Sequence, residues 1–236
     1  MLYLIGLGLD KKGISLEALE ICKKVEKIYL ENYTIEFPYN LKELEKVIGK
    51  KITPLERKEV ESENLVKEAS KNNVALLIYG SPLFATTHIS LILECIKNNI
   101  KYKVLYNASI FDAMGETGLQ LYKFGKITSL PSWKENYKPK SFLKVLEENK
   151  KINSHTLILV DIGLTFSEAL KQLETACKKI KIDKILVCSN LGTKEKKIFY
   201  GTIKELKKKD VLPPFCFIIP SKLHFLEEEF LNLLTS

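Results

Sequence analysis

Short apolar-rich runs recur along the chain, each bounded by polar or turn-forming residues. In the first half they are Leu2–Ile5, Lys27–Glu31, Val74–Tyr79 and Tyr102–Tyr106. Runs of this length with little polar alternation predict strands buried on both faces. Helical spacing fills the intervals. Ser15 is placed to cap a helix through about Lys24, and Asn40 with Glu43 has capping-box spacing. Ser62 is placed to cap a helix to about Lys71, and another helix follows Thr87, with Thr86 and Thr87 as its caps. The expectation is a mostly parallel sheet covered by helices on both faces.

The pattern then changes. Residues Ile110–Tyr122 read as a helix carrying two glycines, followed by a strand at Ile127–Leu130 and a loop with Pro131, Trp133 and Pro139. A helix after Ser141 leads to the strand His155–Asp161, and Ser167 is placed to cap a helix to about Ile180. Strand Lys184–Cys188 and the run Lys196–Gly201 are candidates to pair. Pro213-Pro214 interrupts the chain before the strand Phe215–Ile219 and a closing helix over Leu226–Leu234. The expected architecture is α/β in two domains, residues 1–108 and 109–236.

The 236 residues suffice for well-filled cores, and 45% hydrophobic with 28% charged residues is ordinary for a globular protein. No leader peptide is expected, because Leu2–Ile5 follows the start with no basic segment. No apolar stretch approaches the roughly 20 residues of a membrane span. The five cysteines are scattered without a C-x-x-C pair, which predicts reduced, buried thiols and a cytoplasmic setting. Net charge is +8, and residues 171–210 hold 12 Lys against 5 acidic residues, with clusters at Lys178, Lys179, Lys181, Lys184 and at Lys207–Lys209. This is either a solvated face or a surface that steers an acidic protein or RNA. No aromatics interleave with these lysines, so no single-strand stacking platform is expected.

Candidate chemistry concentrates at strand ends. Gly6-Leu-Gly-Leu-Asp10 follows the first strand, yet the third glycine of a dinucleotide fingerprint is absent and Asp10–Gly13 delays the helix. A dinucleotide site is therefore disfavoured, even with Glu31 placed as a ribose-binding acid. Gly80-Ser-Pro-Leu-Phe-Ala-Thr-Thr-His88 forms a second strand-to-helix turn, Asn107-Ala-Ser-Ile110 a third and Asp161-Ile-Gly-Leu164 a fourth. His88 falls in a first helical turn, His155 at a strand start and His224 in a loop. No His, Cys, Asp or Glu set has metal-ligand spacing, so no metal is expected. There is no G-x-S-x-G, no Walker loop and no identifiable catalytic residue. Four small-residue turns predict a ligand gripped largely by backbone groups, one that carries its own reactivity.

Several blocks together resemble the diphthine synthase family. They are Met1–Leu9, Gly80–His88, Asn107–Ile110, Gly118-Leu-Gln-Leu-Tyr-Lys-Phe-Gly125, His155–Ile162 and Pro220-Ser-Lys-Leu-His-Phe225, matched in order from end to end. The resemblance implies a tetrapyrrole methylase-like fold with S-adenosyl-L-methionine in a cleft between two α/β domains, S-adenosyl-L-homocysteine as product, and a homodimer; the apolar stretches around Ile110–Tyr122 are candidates for its interface. It implies methylation of the amino-carboxypropyl group on a histidine of translation elongation factor 2, a step of diphthamide synthesis, with no membrane and no nucleic acid required. It places cofactor contacts at Leu9, Ser81, Phe84, Ser109, Ile110, Leu164, Tyr200 and His224. The chain departs from the family at Ser81, where an Asp is usual, and at Asn190, where an Arg is usual; the segment after Gly163 is also shorter. Alternatives are a tetrapyrrole or ribosomal RNA methyltransferase of the same fold, or a catalytically silent binding protein.

Overall fold

A computed structural model describes residues 1–180 and 182–234. Lys181, part of the basic cluster named above, lies outside them. The chain divides into two compact units, Met1–Ile110 and Phe111–Ser236.

The first unit holds β1 (Leu2–Gly6), α1 (Leu16–Lys24), β2 (Lys27–Glu31), α2 (Leu41–Ile48), β3 (Thr53–Leu55), α3 (Arg57–Val60), α4 (Asn64–Ala69), β4 (Val74–Ile78), α5 (Ile89–Lys97) and β5 (Tyr102–Leu105). The sheet order is β3-β2-β4-β1-β5, and every pairing is parallel. Successive residues of the central strands point to opposite faces. Leu2, Leu4, Leu76 and Ile78 pack on one side with Leu91 and Ile92 of α5, while Ile5, Ala75 and Leu77 pack on the other with Ala18, Cys22 and Leu44. Each fully buried Leu or Ile contributes about 1.5–3 kcal/mol, so both faces must be covered. Ser15 caps α1 through Ala18 N–H, and Asn40 with Glu43 closes the capping box of α2. β3 and α3 carry no clear apolar period and were not expected. The helix expected from Ser62 to about Lys71 is the shorter α4: Glu63 takes the cap position, and the Ser62 hydroxyl donates to Glu59 O at the end of α3 while accepting from Asn64 N–H at 3.4 Å.

At the division stands α6 (Ile110–Ala113). The second unit continues with β6 (Thr128–Leu130), α7 (Ser141–Lys151), β7 (Thr156–Val160), α8 (Phe166–Ala176), β8 (Ile185–Ser189), β9 (Lys197–Gly201), α9 (Ile203–Leu206), β10 (Phe215–Ile219) and α10 (Phe225–Leu233). Its order is β6-β7-β10-β8-β9. Only β6-β7 is parallel; β10 runs antiparallel to β7 and β8, and β9 antiparallel to β8. Leu130, Ile158, Val187 and Phe217 form one core with Phe142 of α7 and Leu170 and Leu173 of α8.

Two expectations fail here for identifiable reasons. The helix over Ile110–Tyr122 stops at Ala113. A 3-10 turn (Met114–Thr117) ends at Gly118, which takes a left-handed φ of 78°, and a second 3-10 turn covers Leu121–Lys123. Glycine ends helices this way because it has no Cβ to clash. The cap of α8 is Thr165, not Ser167: Thr165 and Glu168 satisfy each other's backbone N–H groups. All five cysteines are free and buried, and no helix among the described residues is long and apolar enough to cross a membrane.

Candidate functional site

Parallel pairing brings the carboxyl ends of β1, β4 and β5 to one edge, where ligands of open α/β sheets bind. The three loops leaving that edge are stitched by hydrogen bonds, main-chain between two of them and through a side-chain amide to the third. Gly8 and Gly80 exchange hydrogen bonds of 3.2 and 3.0 Å. Both have φ near +70°, a conformation that suits glycine. A Cβ on Gly6 would lie 2.6 Å from Gly80 O, so only hydrogen fits there. Asn107 joins the loops: its Nδ2 donates to Gly6 O at 3.0 Å and Gly13 O at 2.9 Å, and its Oδ1 accepts from Ala108 N–H at 2.8 Å. The Tyr79 hydroxyl donates to Leu9 O at 3.1 Å.

This stitching gathers the first five candidates. A Cβ at Gly80 would stand 3.7 Å from Ser109 Cα and 4.0 Å from the Leu9 side chain. Leu9 and Ser109 are buried; Ser81, Phe84 and Ile110 are half-buried. Ser81 and Phe84 share a tight turn closed by Phe84 N–H donating to Ser81 O at 3.2 Å. Thr86 and Thr87 do not cap α5. The Thr86 hydroxyl donates to Pro82 O at 2.9 Å, and Thr87 donates to Glu61 at 3.4 Å. His88 occupies the cap position without a capping side-chain bond, because its Nδ1 donates to the same Pro82 O at 3.1 Å. Burial pushes the His88 imidazole below its ordinary pKa, so the ring is neutral and braces the loop. Glu31 is buried, with Oε2 accepting from the Thr34 hydroxyl at 2.7 Å, and is not displayed for a ribose.

In the second unit the remaining candidates separate. Leu164 follows the carboxyl end of β7 and packs on the helix-side core. Tyr200, on β9, pairs with Leu186 near the start of β8 and lies beneath the Lys184 ammonium, 5.2 Å from its ring centroid. Burial, then the charges of Glu228 and Asp183, raise its phenol pKa. His224 lies in the loop between β10 and α10, as expected, and caps α10, with Nδ1 accepting from Leu226 N–H at 3.4 Å. Tyr200 and the Pro220–Leu223 turn line one cavity of about 390 Å³. They stand near the end of β10, whereas Leu164 stands near its start, since β7 and β10 are antiparallel. Asn190 adopts a left-handed φ of 52°, its N–H donates to Pro214 O at 2.9 Å and its amide to the Ser189 hydroxyl at 3.0 Å. An asparagine tolerates that conformation better than an arginine does.

No group of side chains among the described residues could hold a metal ion. The edge of the first unit instead offers main-chain groups, apolar Leu9, Phe84 and Ile110, and the hydroxyl of Ser81. That donor set fits a ligand with a flat apolar ring, ribose hydroxyls and an amino-acid end.

The sequence profile of the Tetrapyrrole (Corrin/Porphyrin) Methylases matches residues 1–207. The chain is 42% identical to the diphthine synthase of Methanocaldococcus jannaschii, over 99% of this chain and 98% of that protein. The chain belongs to the tetrapyrrole methylase family, among the diphthine synthases. It is 36% identical to the diphthine methyl ester synthase of Schizosaccharomyces pombe, covering 98% of this chain and 93% of that one. A crystal structure of diphthine synthase superposes with a TM-score of 0.90 at 31% identity, over 99% and 95% of the two chains. As a diphthine synthase family member, the chain is a methyltransferase, and the family's chemistry implies S-adenosylmethionine as methyl donor.

Sequence reasoning passed over some residues that organise these family loops. Asn107 lies in a small-residue turn, and its one sequence signal is an amide just past a strand. Glu227, His155 and Lys123, described below, carry no local signal of their joint role.

Proposed function

We propose that this chain transfers methyl groups from S-adenosylmethionine to the amino-carboxypropyl group carried by a histidine of translation elongation factor 2. The observation that carries this reading is the full-length match to diphthine synthases, combined with a strand-edge cradle that offers backbone and hydroxyl groups. Leu9, Ser81, Phe84, Ser109 and Ile110 of the first unit, and Leu164, Tyr200 and His224 of the second, are the proposed cofactor contacts.

The cofactor supplies a methyl group already activated by its sulfonium. The chain's own work is therefore alignment and exclusion of water. The Gly8–Gly80 bridge and Asn107 hold the cradle rigid before any ligand arrives. Ser81 offers its hydroxyl to ribose or amino-acid groups, Ser109 lines the cradle beside Gly80, and Leu9, Phe84 and Ile110 cover apolar surface. The attacking amine must be neutral, and a proton leaves after each transfer. We also infer a homodimer from the family resemblance, testable by sedimentation.

Incubation with methyl-labelled S-adenosylmethionine and elongation factor 2 bearing the unmethylated group tests the reading, with mass spectrometry of the modified peptide. One to four added methyls support it, and fragmentation separates amine from ester. Cofactor binding without transfer would redirect the search to an RNA substrate. No binding at all would leave a silent binding protein.

A further inference from the structure

Two sequence blocks of the second unit, Gly118–Gly125 and Pro220–Phe225, meet at one buried carboxylate. Glu227 has no solvent exposure. Its Oε1 accepts from Gln120 N–H at 2.9 Å and from His155 Nε2 at 3.1 Å. Its Oε2 accepts from His224 N–H at 2.7 Å and from the Lys123 ammonium. Lys123 also donates to Lys222 O at 3.0 Å. His155, equally buried, accepts Ser221 N–H on Nδ1 at 3.0 Å, so its proton sits on Nε2 and points at Glu227. Phe124 meets the imidazole edge-on, with centroids 5.3 Å apart.

Three polar groups of the short turn are thereby held from outside it: Ser221 N–H, Lys222 O and His224 N–H. Helix capping alone does not call for this. The capping boxes of α2, α8 and α9 use Glu43, Glu168 and Glu205. Those carboxylates are partly or fully exposed, and none is bonded to a buried histidine. At α10 alone, among the described residues, the capping carboxylate is buried and shared with a histidine and a lysine from two other segments. Gly118 and Gly125 let the first block approach: a Cβ would lie 2.3 Å from the Phe230 ring at Gly118 and 2.2 Å from Asn149 Oδ1 at Gly125.

We propose that Glu227, His155 and Lys123 are positioning residues of the methyltransferase, holding the Pro220–His224 turn so that the His224 imidazole is presented to S-adenosylmethionine. The proposal rests on the reading of His224 as a cofactor contact. A buried carboxylate with four donors is a stiff anchor, because the loss of any one donor leaves a buried charge short of a hydrogen bond. His155 contributes only while neutral, since a proton on Nδ1 would face Ser221 N–H. Burial is the largest influence on its pKa and lowers it, Glu227 opposes that, and the Lys123 charge adds to it.

The test compares wild type with Glu227→Gln, Lys123→Met and His155→Asn. The asparagine keeps an acceptor for Ser221 N–H but loses the bond to Glu227. Affinity for S-adenosylhomocysteine is measured by calorimetry at a temperature where circular dichroism shows each variant folded. Glu227→Gln is expected to raise the Kd by about tenfold, and the other two severalfold. KM for the methyl donor should rise with it, and KM for the protein substrate should not. A purely structural role would lower the melting temperature and leave the Kd within twofold of wild type, which would overturn the proposal. Should Glu227→Gln not fold, His155→Asn carries the same test. Should wild type bind no cofactor, the functional reading fails separately. The chain has three histidines, so imidazole nitrogen spectra still decide the positioning: His155 should be the Nε2–H tautomer in wild type, and His224 should shift in all three variants. An unmoved His224 would overturn it.

Discussion

In the first unit one neutral amide, Asn107, ties the strand-edge loops together; in the second a buried charge, Glu227, does the equivalent work on a turn. Both collect polar groups from distant stretches of chain. The amide has no titration in the working range and no counter-charge to keep. The carboxylate binds its donors more strongly but depends on its own ionisation and on Lys123. A parallel sheet already aligns its carboxyl ends, so a light tie completes the edge. In the mixed sheet, the turn after β10 is drawn to the start of β7, and a stronger anchor holds it there.

The largest expected effect attacks the light tie where space runs out. Gly6→Ala would press a methyl group against Gly80 O, a main-chain atom that cannot rotate away. We expect a loss of more than about 3 kcal/mol in denaturant unfolding, and no detectable cofactor binding in the fraction that folds. Cofactor affinity equal to wild type would remove the β1 and β4 loops from the site.

Acid should separate the two regions next. Burial pushes the Glu227 pKa up, but His224 N–H, the Lys123 ammonium, Gln120 N–H and His155 outweigh it and hold it at about 2, against an ordinary 4.5. A depressed carboxyl pKa stabilises fully above pH 4.5, and the contribution is lost as pH falls toward 2. That shift corresponds to about 3 kcal/mol. Hydrogen exchange should show the Gln120, Ser221 and His224 amides losing protection over that window, before those of Gly8, Gly80 and Ala108. Simultaneous loss would show that the charge is not what distinguishes the two.

Asn107→Ala comes third. It leaves Gly6 O, Gly13 O and Ala108 N–H without their partner, at about 1–3 kcal/mol for each group that stays buried. Water can reach Gly13, so a total near 2 kcal/mol is expected by chemical denaturation, with weaker cofactor binding. Ser81→Asp is the smallest step and the one of opposite sign. Introducing the carboxylate that the family resemblance implies at this position should tighten cofactor binding severalfold by calorimetry, about 1 kcal/mol. Unchanged affinity would mean that the hydroxyl already serves.

Every strand except β3 was legible, in order along the chain, because buried strands announce themselves as short apolar runs, and Asn40 with Glu43 announced α2. The helix expected over Ile110–Tyr122 was not, because apolar spacing continues through Gly118 while the backbone turns left-handed there. Ser167 lost the cap of α8 to Thr165 because only Thr165 has Glu168 at the reciprocal capping-box spacing, a distinction the sequence already carries. Thr86 and Thr87 looked like caps, yet Pro82 O and Glu61 claimed their hydroxyls.

The sequence by itself determined the α/β class and the strand-end turns, through apolar periodicity and glycine placement, and its resemblances pointed to the family. These are local properties, set by which conformations a short stretch can adopt. Tertiary structure alone decided that Asn107 would serve Gly6 and Gly13 at once. It alone brought Glu227 to His155, 72 residues away along the chain. A buried polar group takes whichever partners the fold brings within about 3 Å, and no spacing along the chain records that distance.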